Sequence, residues 1–252
     1  MTARFFHPSP ICNSEQITLT SANSHHAIQV LRLKQGDSIT LFDGTGGEFS
    51  GHLVQTGKSG CVVQIESHLP IERESPLAIE LAQAICANEK MDWIIQKAVE
   101  QGVTRIQPLI TRRTLIRLDG ERAGKRWQHW QNIIIAACEQ CGRNTLPQFL
   151  PLLPLTHWLE QKLAEKQQHG NPAGHHIMLS PVASLRLAEL PVPQPGECLT
   201  LLTGPEGGFA EEETDIARLA GFIPIRLGSR ILRTESAALA AIAAAQTLWG
   251  DY

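Results

Sequence analysis

In the first seventy or so residues apolar and polar positions tend to alternate with a period of two. "QITL", "SITLFDG", "EFSGHLVQTG" and "GCVVQIES" are short β-like runs separated by turns such as "DGTGGE" and "TGKSG". This rhythm predicts a small antiparallel barrel or sandwich. "IERESP", with alternating charge and a closing proline, reads as a linker. From residue 77 onward strand-like apolar runs alternate with helical patterns: "LAIELAQAIC", "EKMDWIIQKAVEQG" closed by Gly102, "RIQPLI", and "KRWQHWQNIIIAACEQCG" closed by Gly142. "LTHWLEQKLAEKQQ", "HHIMLSP", "CLTLLTG", "EEETDIARLAG", "IPIRLG" and "ESAALAAIAAAQTLW" continue the alternation. The pattern predicts an α/β domain with a mostly parallel sheet, the kind that binds ligands at the carboxyl ends of its strands. The domains are accordingly expected at 1–74 and 75–252.

Three strand ends in the second part carry unusual chemistry. "IMLSP" ends in Ser180 and Pro181; "LTLLTGPEGG" ends in Thr203, Gly204, Pro205, Glu206, Gly207 and Gly208; "IPIRLGSRILRTES" supplies Gly228, Ser229, Arg230, Ile231, Leu232 and Arg233. Glycine at a close approach leaves main-chain groups open to a flat heterocycle. Known phosphate loops do not fit: no Lys follows Gly208, and "TGPEGGF" lacks the spacing of a dinucleotide fingerprint. Glu206 would also repel a pyrophosphate. A plain turn is the alternative for "GPEGG".

Composition changes the picture little. The chain has 252 residues, 42% hydrophobic and 19% charged, enough for a full core. "MTARFFHPSPICN" lacks the apolar run of a signal peptide and "AALAAIAAAQ" is too short to span a bilayer, so a cytoplasmic protein with no membrane partner is expected. Six scattered cysteines suit reduced thiols. Only Cys138 and Cys141 have metal-like or redox-like spacing, and no second pair completes a zinc site, so no metal is expected. The net charge of −3 argues against a strongly basic nucleic-acid binder, yet residues 105–126 gather Arg105, Arg112, Arg113, Arg117, Arg122, Lys125 and Arg126 against Asp119 and Glu121. That stretch is either a solvated basic loop or a phosphate-contacting patch.

"LLTGPEGGFAEEE" together with "LGSRILRTESAALAAIAA" resembles the C-terminal signature of the RsmE family, ribosomal RNA small-subunit methyltransferases of the SPOUT class. "EKMDWIIQKAVEQGV", "IIIAACEQCGRN", "RFFHP" and "HAIQVLRLKQGD" resemble further segments of that family, so the likeness spans nearly the whole chain. It implies a PUA-like β-barrel for RNA followed by an α/β domain whose C-terminal segment is threaded as a trefoil knot. It also implies S-adenosylmethionine as cofactor, N3-methyluridine in 16S ribosomal RNA of the small subunit as product, and a homodimer with the site at the subunit interface. The cofactor-contacting set expected on this basis is Ser180, Pro181, Leu202, Thr203, Gly204, Pro205, Glu206, Gly207, Gly208, Leu227, Gly228, Ser229, Ile231, Leu232, Arg233 and Thr234.

Methyl transfer to a ring nitrogen is an in-line displacement, so positioning supplies much of the catalysis. Uridine N3 must also lose a proton, which calls for a cation to stabilise the developing uridinate and for a base. Arg233 is the expected catalytic cation, with a salt bridge to Glu235 or Glu206 as its structural alternative. No base stands out. Glu211, Glu212 and Glu213 suit the first turn of a helix, whereas Glu206 either holds its loop or faces a cationic ligand. The small-residue helix at 235–249 suits a core or a two-fold contact. Trp127, Trp130, Trp158 and Trp249 read as core or interface anchors. Arg4, Arg32, Arg112, Arg113 and Arg143 are the expected RNA contacts, the substrate being an assembled small subunit. A non-catalytic RNA-binding module and a small-molecule nucleotide enzyme remain alternatives, which titration with S-adenosylmethionine separates.

Overall fold

The computed structural model describes residues 2–57, 60–116, 120–170 and 174–252. Arg117, Asp119 and the tip of "TGKSG" lie outside them. The chain divides into two compact units, Met1–Glu74 with Ile135–Leu146, and Ser75–Ile134 with Pro147–Tyr252.

In the first unit, strands β1 (Ala3–Phe6) and β2 (Gln16–Thr18) precede a short helix α1 (Ser21–His25), followed by β3 (Ser38–Phe42), β4 (Glu48–Gly57) and β5 (Gly60–Leu69). They form one five-stranded sheet in the order β1-β3-β4-β5-β2. The alternating pattern predicts an antiparallel sheet, and every pair is antiparallel except β1–β3, which is parallel. The reason is connectivity: β2 and α1 lie between these two strands in the chain, so β3 returns beside β1 by a crossover and not by a hairpin. Phe5, Leu41, Leu53, Val63 and Ile65 fill the core. A register shift at Ser50/Gly51 bends the long hairpin, and a Cβ at Gly51 would stand 2.3 Å from the Gln64 carbonyl oxygen, so this bulge admits only glycine.

Two expected RNA contacts have partners inside this unit. Arg4 donates from Nη1 to Glu48 (2.7 Å) and from Nη2 to the Arg143 carbonyl (2.9 Å) and to Asn144 Oδ1, and its guanidinium lies 4.3 Å over the Phe42 ring. The Arg143 side chain is 4% exposed and grips Glu74 with Nε at 2.9 Å and Nη2 at 2.5 Å. Guanidinium groups buried against protein carboxylates have no face to offer a phosphate. Both brace the segment Ile135–Leu146 within this unit.

The second unit contains β6 (Ala78–Ala84), α2 (Asn88–Glu100), β7 (Arg105–Ile110), α3 (Gly120–Cys141, its last turns counted with the first unit), β8 (Gln148–Phe149) and β9 (Leu153–Pro154). It continues with α4 (Leu155–His169), β10 (His176–Leu179), β11 (Cys198–Thr203), α5 (Glu211–Leu219), β12 (Ile223–Ile225) and α6 (Thr234–Trp249). The sheet runs β12-β10-β11-β6-β7-β8 with β9 also on β7, and all of these pairs are parallel. β6 and β11 are buried along almost their full length, as central parallel strands covered on both faces must be. Gly102, at φ +82°, ends α2: its N–H reaches the Val99 carbonyl and that of Val103 reaches Ala98, so the left-handed residue closes the last turn. Buried Gln246 of α6 donates to the Gln101 carbonyl and accepts from Ser75 Oγ, both at 2.7 Å, which pins α6 to the end of α2 and to the start of the unit. Among the described residues no helix is long and apolar enough to cross a membrane.

Candidate functional site

The sheet order brings the carboxyl ends of β12, β10 and β11 side by side, with β6 next in line. The three loops that the sequence singles out leave from these ends and line one cavity of about 740 Å³. That is the size and placement of a small-molecule site in an open α/β sheet.

The floor is a chain of buried hydrogen bonds. Thr203 Oγ1 donates to Gln83 Oε1 (2.5 Å), Gln83 Nε2 donates to Thr234 Oγ1 (3.5 Å), and Thr234 Oγ1 donates to the Gly204 carbonyl (2.5 Å). β6, β11 and the first turn of α6 are thereby locked together. Thr203 and Thr234 do border the cavity, but their hydroxyls are spent on this floor.

The Gly204–Gly208 loop is held at each end and in the middle. Gly208 N–H closes a turn onto the Pro205 carbonyl (2.9 Å), and Arg113 Nη1 donates to the Gly207 carbonyl (2.9 Å). Glu206 Oε1 accepts from Lys90 Nζ (3.0 Å) and from the Ala87 N–H (3.3 Å). Lys90 also stands 3.7 Å from Glu235. The expected pairing of Arg233 with these carboxylates is therefore absent; a lysine from α2 takes both. Of the three glutamates that open α5, Glu213 is buried, and it accepts from the Ala210 N–H (2.8 Å) and from the Arg112 N–H (2.7 Å). It caps the helix and ties down residue 112 as well.

The Leu227–Leu232 loop is the opposite. None of its main-chain N–H or C=O groups bonds to a described residue. Gly228 has φ +84°, a conformation that side chains resist, and the space its Cβ would take is empty to 4 Å. Just before it, Arg226 lines the cavity with a buried Nε that has no hydrogen-bond partner among the described residues. Just after it, Arg233 is exposed at the start of α6, lines the cavity and makes no ion pair with a described residue.

Most of the expected set reaches the cavity wall, including Ser180, Pro181, Leu227, Gly228, Ile231 and Leu232. Leu202 does not: it points into the core with Ala82, Leu109 and Met178. Ser229 is exposed and outside the wall. Sequence reasoning missed Lys90, Phe209, Arg218 and Arg226, and named Arg230 in its loop without placing it in the cofactor-contacting set; all five line the cavity. Lys90 had no local signal, because its place depends on α2 lying beside the α6 start; Arg226 and Arg230 sit in the quoted loop and could have been found there. Among the described lining residues Glu206 is the sole acid against Lys90, Arg218, Arg226, Arg230 and Arg233. The rim therefore suits an anionic partner.

Much of the basic stretch is neutralised within the protein. Arg105 faces Glu80, Arg112 pairs with Glu212, Lys125 with Glu121 and Arg126 with Asp92. Arg113 spends one donor on the glycine loop, while Arg32 is exposed on the first unit with φ +57°. Burial raises the Cys138 thiol to about 12, so it is an inert core group. Trp130 and Trp158 are buried anchors. Among the described residues no cluster of three His, Cys, Asp or Glu could hold a metal ion.

Residues 73–246 match the family model of an RNA methyltransferase domain, and residues 19–66 that of an RNA methyltransferase PUA domain. A methyltransferase from Legionella pneumophila solved with bound SAM is 38% identical, with both chains fully covered and a TM-score of 0.91. The ribosomal RNA small subunit methyltransferase E from Neisseria gonorrhoeae, solved with S-adenosyl methionine, is also 38% identical over both full chains, with a TM-score of 0.89. The enzyme of the same name from Buchnera aphidicola is 36% identical over 238 residues, 94% of this chain and 93% of its own length. With likeness of that extent across both units, the chain belongs to the ribosomal RNA small subunit methyltransferase E family.

Proposed function

We propose that this protein is an S-adenosylmethionine-dependent methyltransferase acting on N3 of one uridine in 16S ribosomal RNA. The observation that carries the reading is the unbonded main chain of Leu227–Leu232 facing a cavity of about 740 Å³ at the strand ends. The residues fit the cofactor. The open N–H and C=O groups suit an adenine edge, the orphaned Arg226 Nε suits a carboxylate, and Gly228 leaves room where a Cβ would stand. Family kinship supports the uridine-N3 assignment.

The cofactor supplies a methyl group on a sulfonium. The chain's own residues do the rest. Leu227–Leu232 and Arg226 hold and orient it, and the Thr203–Gln83–Thr234 floor keeps the two loops at fixed spacing. Arg233, exposed at the cavity mouth with no internal ion pair to a described residue, stabilises negative charge that develops on the uracil. Thr234 bonded to the Gly204 carbonyl supports reading the segment after β12 as a knot-forming one. The domain at 1–74 is assigned to RNA and that at 75–252 to catalysis. Arg32, Arg113 and Arg112 in exchange for Glu212 are the proposed RNA contacts, with Arg230 added. Exposed Trp93, Leu248 and Tyr252 with the small residues of α6 support a homodimer. An assembled small subunit in the cytoplasm is the proposed setting, because the basic groups are few and local.

The test joins calorimetric titration with S-adenosylmethionine to methyl transfer onto small subunits and onto naked 16S RNA. Saturable cofactor binding with transfer to uridine N3 is expected. A folded protein that binds no cofactor overturns the reading.

A further inference from the structure

The proposed chemistry lacks a group to receive the uridine N3 proton, and the cavity offers one candidate. No histidine or aspartate lines it among the described residues, and Glu206 is its only acid. The carboxylate is clamped on one side: Oε1 takes both the Lys90 and the Ala87 hydrogen bonds, while no other described residue donates to Oε2. Oε1 is fixed by two other residues, and beyond these the carboxylate has its own N–H as a donor, so Oε2 is held by no other described residue.

We propose that Glu206 is the proton acceptor, with Lys90 as the positioning residue that aims it, an inference that rests on the methyltransferase reading above. The uracil N3–H bond breaks and its proton passes to Oε2. The N3 electron pair forms the bond to the methyl carbon, and the pair of the methyl's former bond stays with its donor sulfur. Lys90 is shared with Glu235, so neutralising Glu206 leaves the ammonium with a carboxylate 3.7 Å away and no unpaired charge. The neighbouring Cys86 is no rival: burial first, and the Glu206 charge second, push its thiol up to about 12.

Burial alone would raise the Glu206 carboxyl, but hydrogen bonds from its own N–H, Lys90 and Ala87 outweigh it and hold the group below its ordinary value. The group is therefore ionised at neutral pH. A base this weak cannot strip N3 in advance, so proton transfer accompanies bond formation, when N3 gains positive character and its proton becomes acidic. The other charged groups near Glu206 are Arg113, which comes from the segment after β7 and bonds the neighbouring Gly207 carbonyl, Lys90 and Glu235.

The experiment compares wild type with Glu206→Gln, which keeps the shape and an acceptor for Lys90. Single-turnover methylation at saturating cofactor should fall by about 10²–10⁴-fold. Calorimetric affinity for S-adenosylmethionine should stay within about threefold, the scale of losing one modest contact. The variant's rate should climb with pH as hydroxide replaces the carboxylate, while the wild-type rate stays flat above the carboxylate's titration. Glu206→Asp, which retains a carboxylate one methylene shorter, should fall between the two. A Glu206→Gln rate equal to wild type, or a loss that excess cofactor restores, overturns the proposal. Wild-type protein that transfers no methyl to small-subunit RNA overturns the function itself, so the two failures are distinct.

Discussion

The loops Gly204–Gly208 and Leu227–Leu232 border one cavity, are both glycine-bearing, and differ in where their polar groups point. In the first, the carbonyls of Gly204 and Gly207 and one of the two carboxylate oxygens of Glu206 are bonded to other residues of the protein, which of these groups leaves only Glu206 Oε2 turned to a partner. In the second no main-chain group is bonded to a described residue. A polar group already satisfied by the protein has little left for a ligand, whereas unsatisfied groups gain on binding. The first loop is thus the wall, and the second is the reader. Glycine plays a different part in each: a Cβ at Gly204 would meet the Phe209 ring at 3.3 Å, while one at Gly228 would meet nothing.

The largest effect expected from this division is at Arg233, where the reader loop ends. If its guanidinium stabilises charge that exists only as the uracil reacts, it acts on rate and not on cofactor binding. Single-turnover methylation should fall in the order Arg, Lys, Ala, with Arg233→Ala down roughly 10²–10³-fold, the scale of losing one preorganised donor. Lysine keeps the charge but lacks the planar fork. Full rescue of the Ala variant by excess cofactor would make Arg233 part of the reader loop only.

Glycine substitutions test the division crosswise. Gly204→Val presses on Phe209 in a wall held by hydrogen bonds to three other segments, so overpacking should lower stability by about 1–3 kcal/mol in denaturant unfolding. Gly228→Val strains a left-handed position by about 1–2 kcal/mol in a loop free to shift, so cofactor affinity should drop about tenfold or more with a smaller change in stability. Equal damage from both variants in both assays would erase the distinction.

The parts of this arrangement that were legible in the sequence are those set by local pattern. Strand and helix order follows from periodicity, and the three loops announce themselves by glycine after an apolar run. Side-chain partners across long separations leave no such trace. Arg4 and Arg143 look like any surface arginine until Glu48 and Glu74 are seen against them. Lys90 lies in a helix that reads as ordinary, and only the packing of α2 beside α6 brings it to Glu206. Leu202 and Thr203 are consecutive residues at a strand end, yet alternation sends the leucine side chain to the core.

Arg113 gives a milder test of the wall. Its Nη1 bond to the Gly207 carbonyl is exposed to solvent, so Arg113→Ala should loosen the loop without dissolving it, and cofactor affinity should fall by about two- to tenfold, the value of one such hydrogen bond. Arg113→Lys should recover part of this if the bond alone matters. An unchanged affinity would mean the wall is held from Lys90 and Thr234 alone.

The smallest effect concerns pH and again separates the loops. The wall contains Glu206, held below its ordinary value despite burial that pulls the other way; the reader contains only Arg230 as an ionisable group. A carboxyl whose folded value is lowered contributes stability that is present above its unfolded value of 4.5 and is lost as pH falls through the folded value. The gap in denaturant midpoint between wild type and Glu206→Gln should therefore be constant above about pH 5.5 and shrink steadily toward about pH 3.5. Asp43, Glu48 and Glu189 also sit below their ordinary values and titrate in this window, but they are present in both proteins and cancel in the difference. A matching Gly228→Ala comparison should show no pH dependence, because no group within that glycine's loop protonates there and Glu189, which faces Arg226, is present in both proteins. A gap that persists unchanged at about pH 3.5 would mean that the Lys90–Glu206 bond adds nothing to the wall, whose spacing would then rest on Thr234 and Arg113.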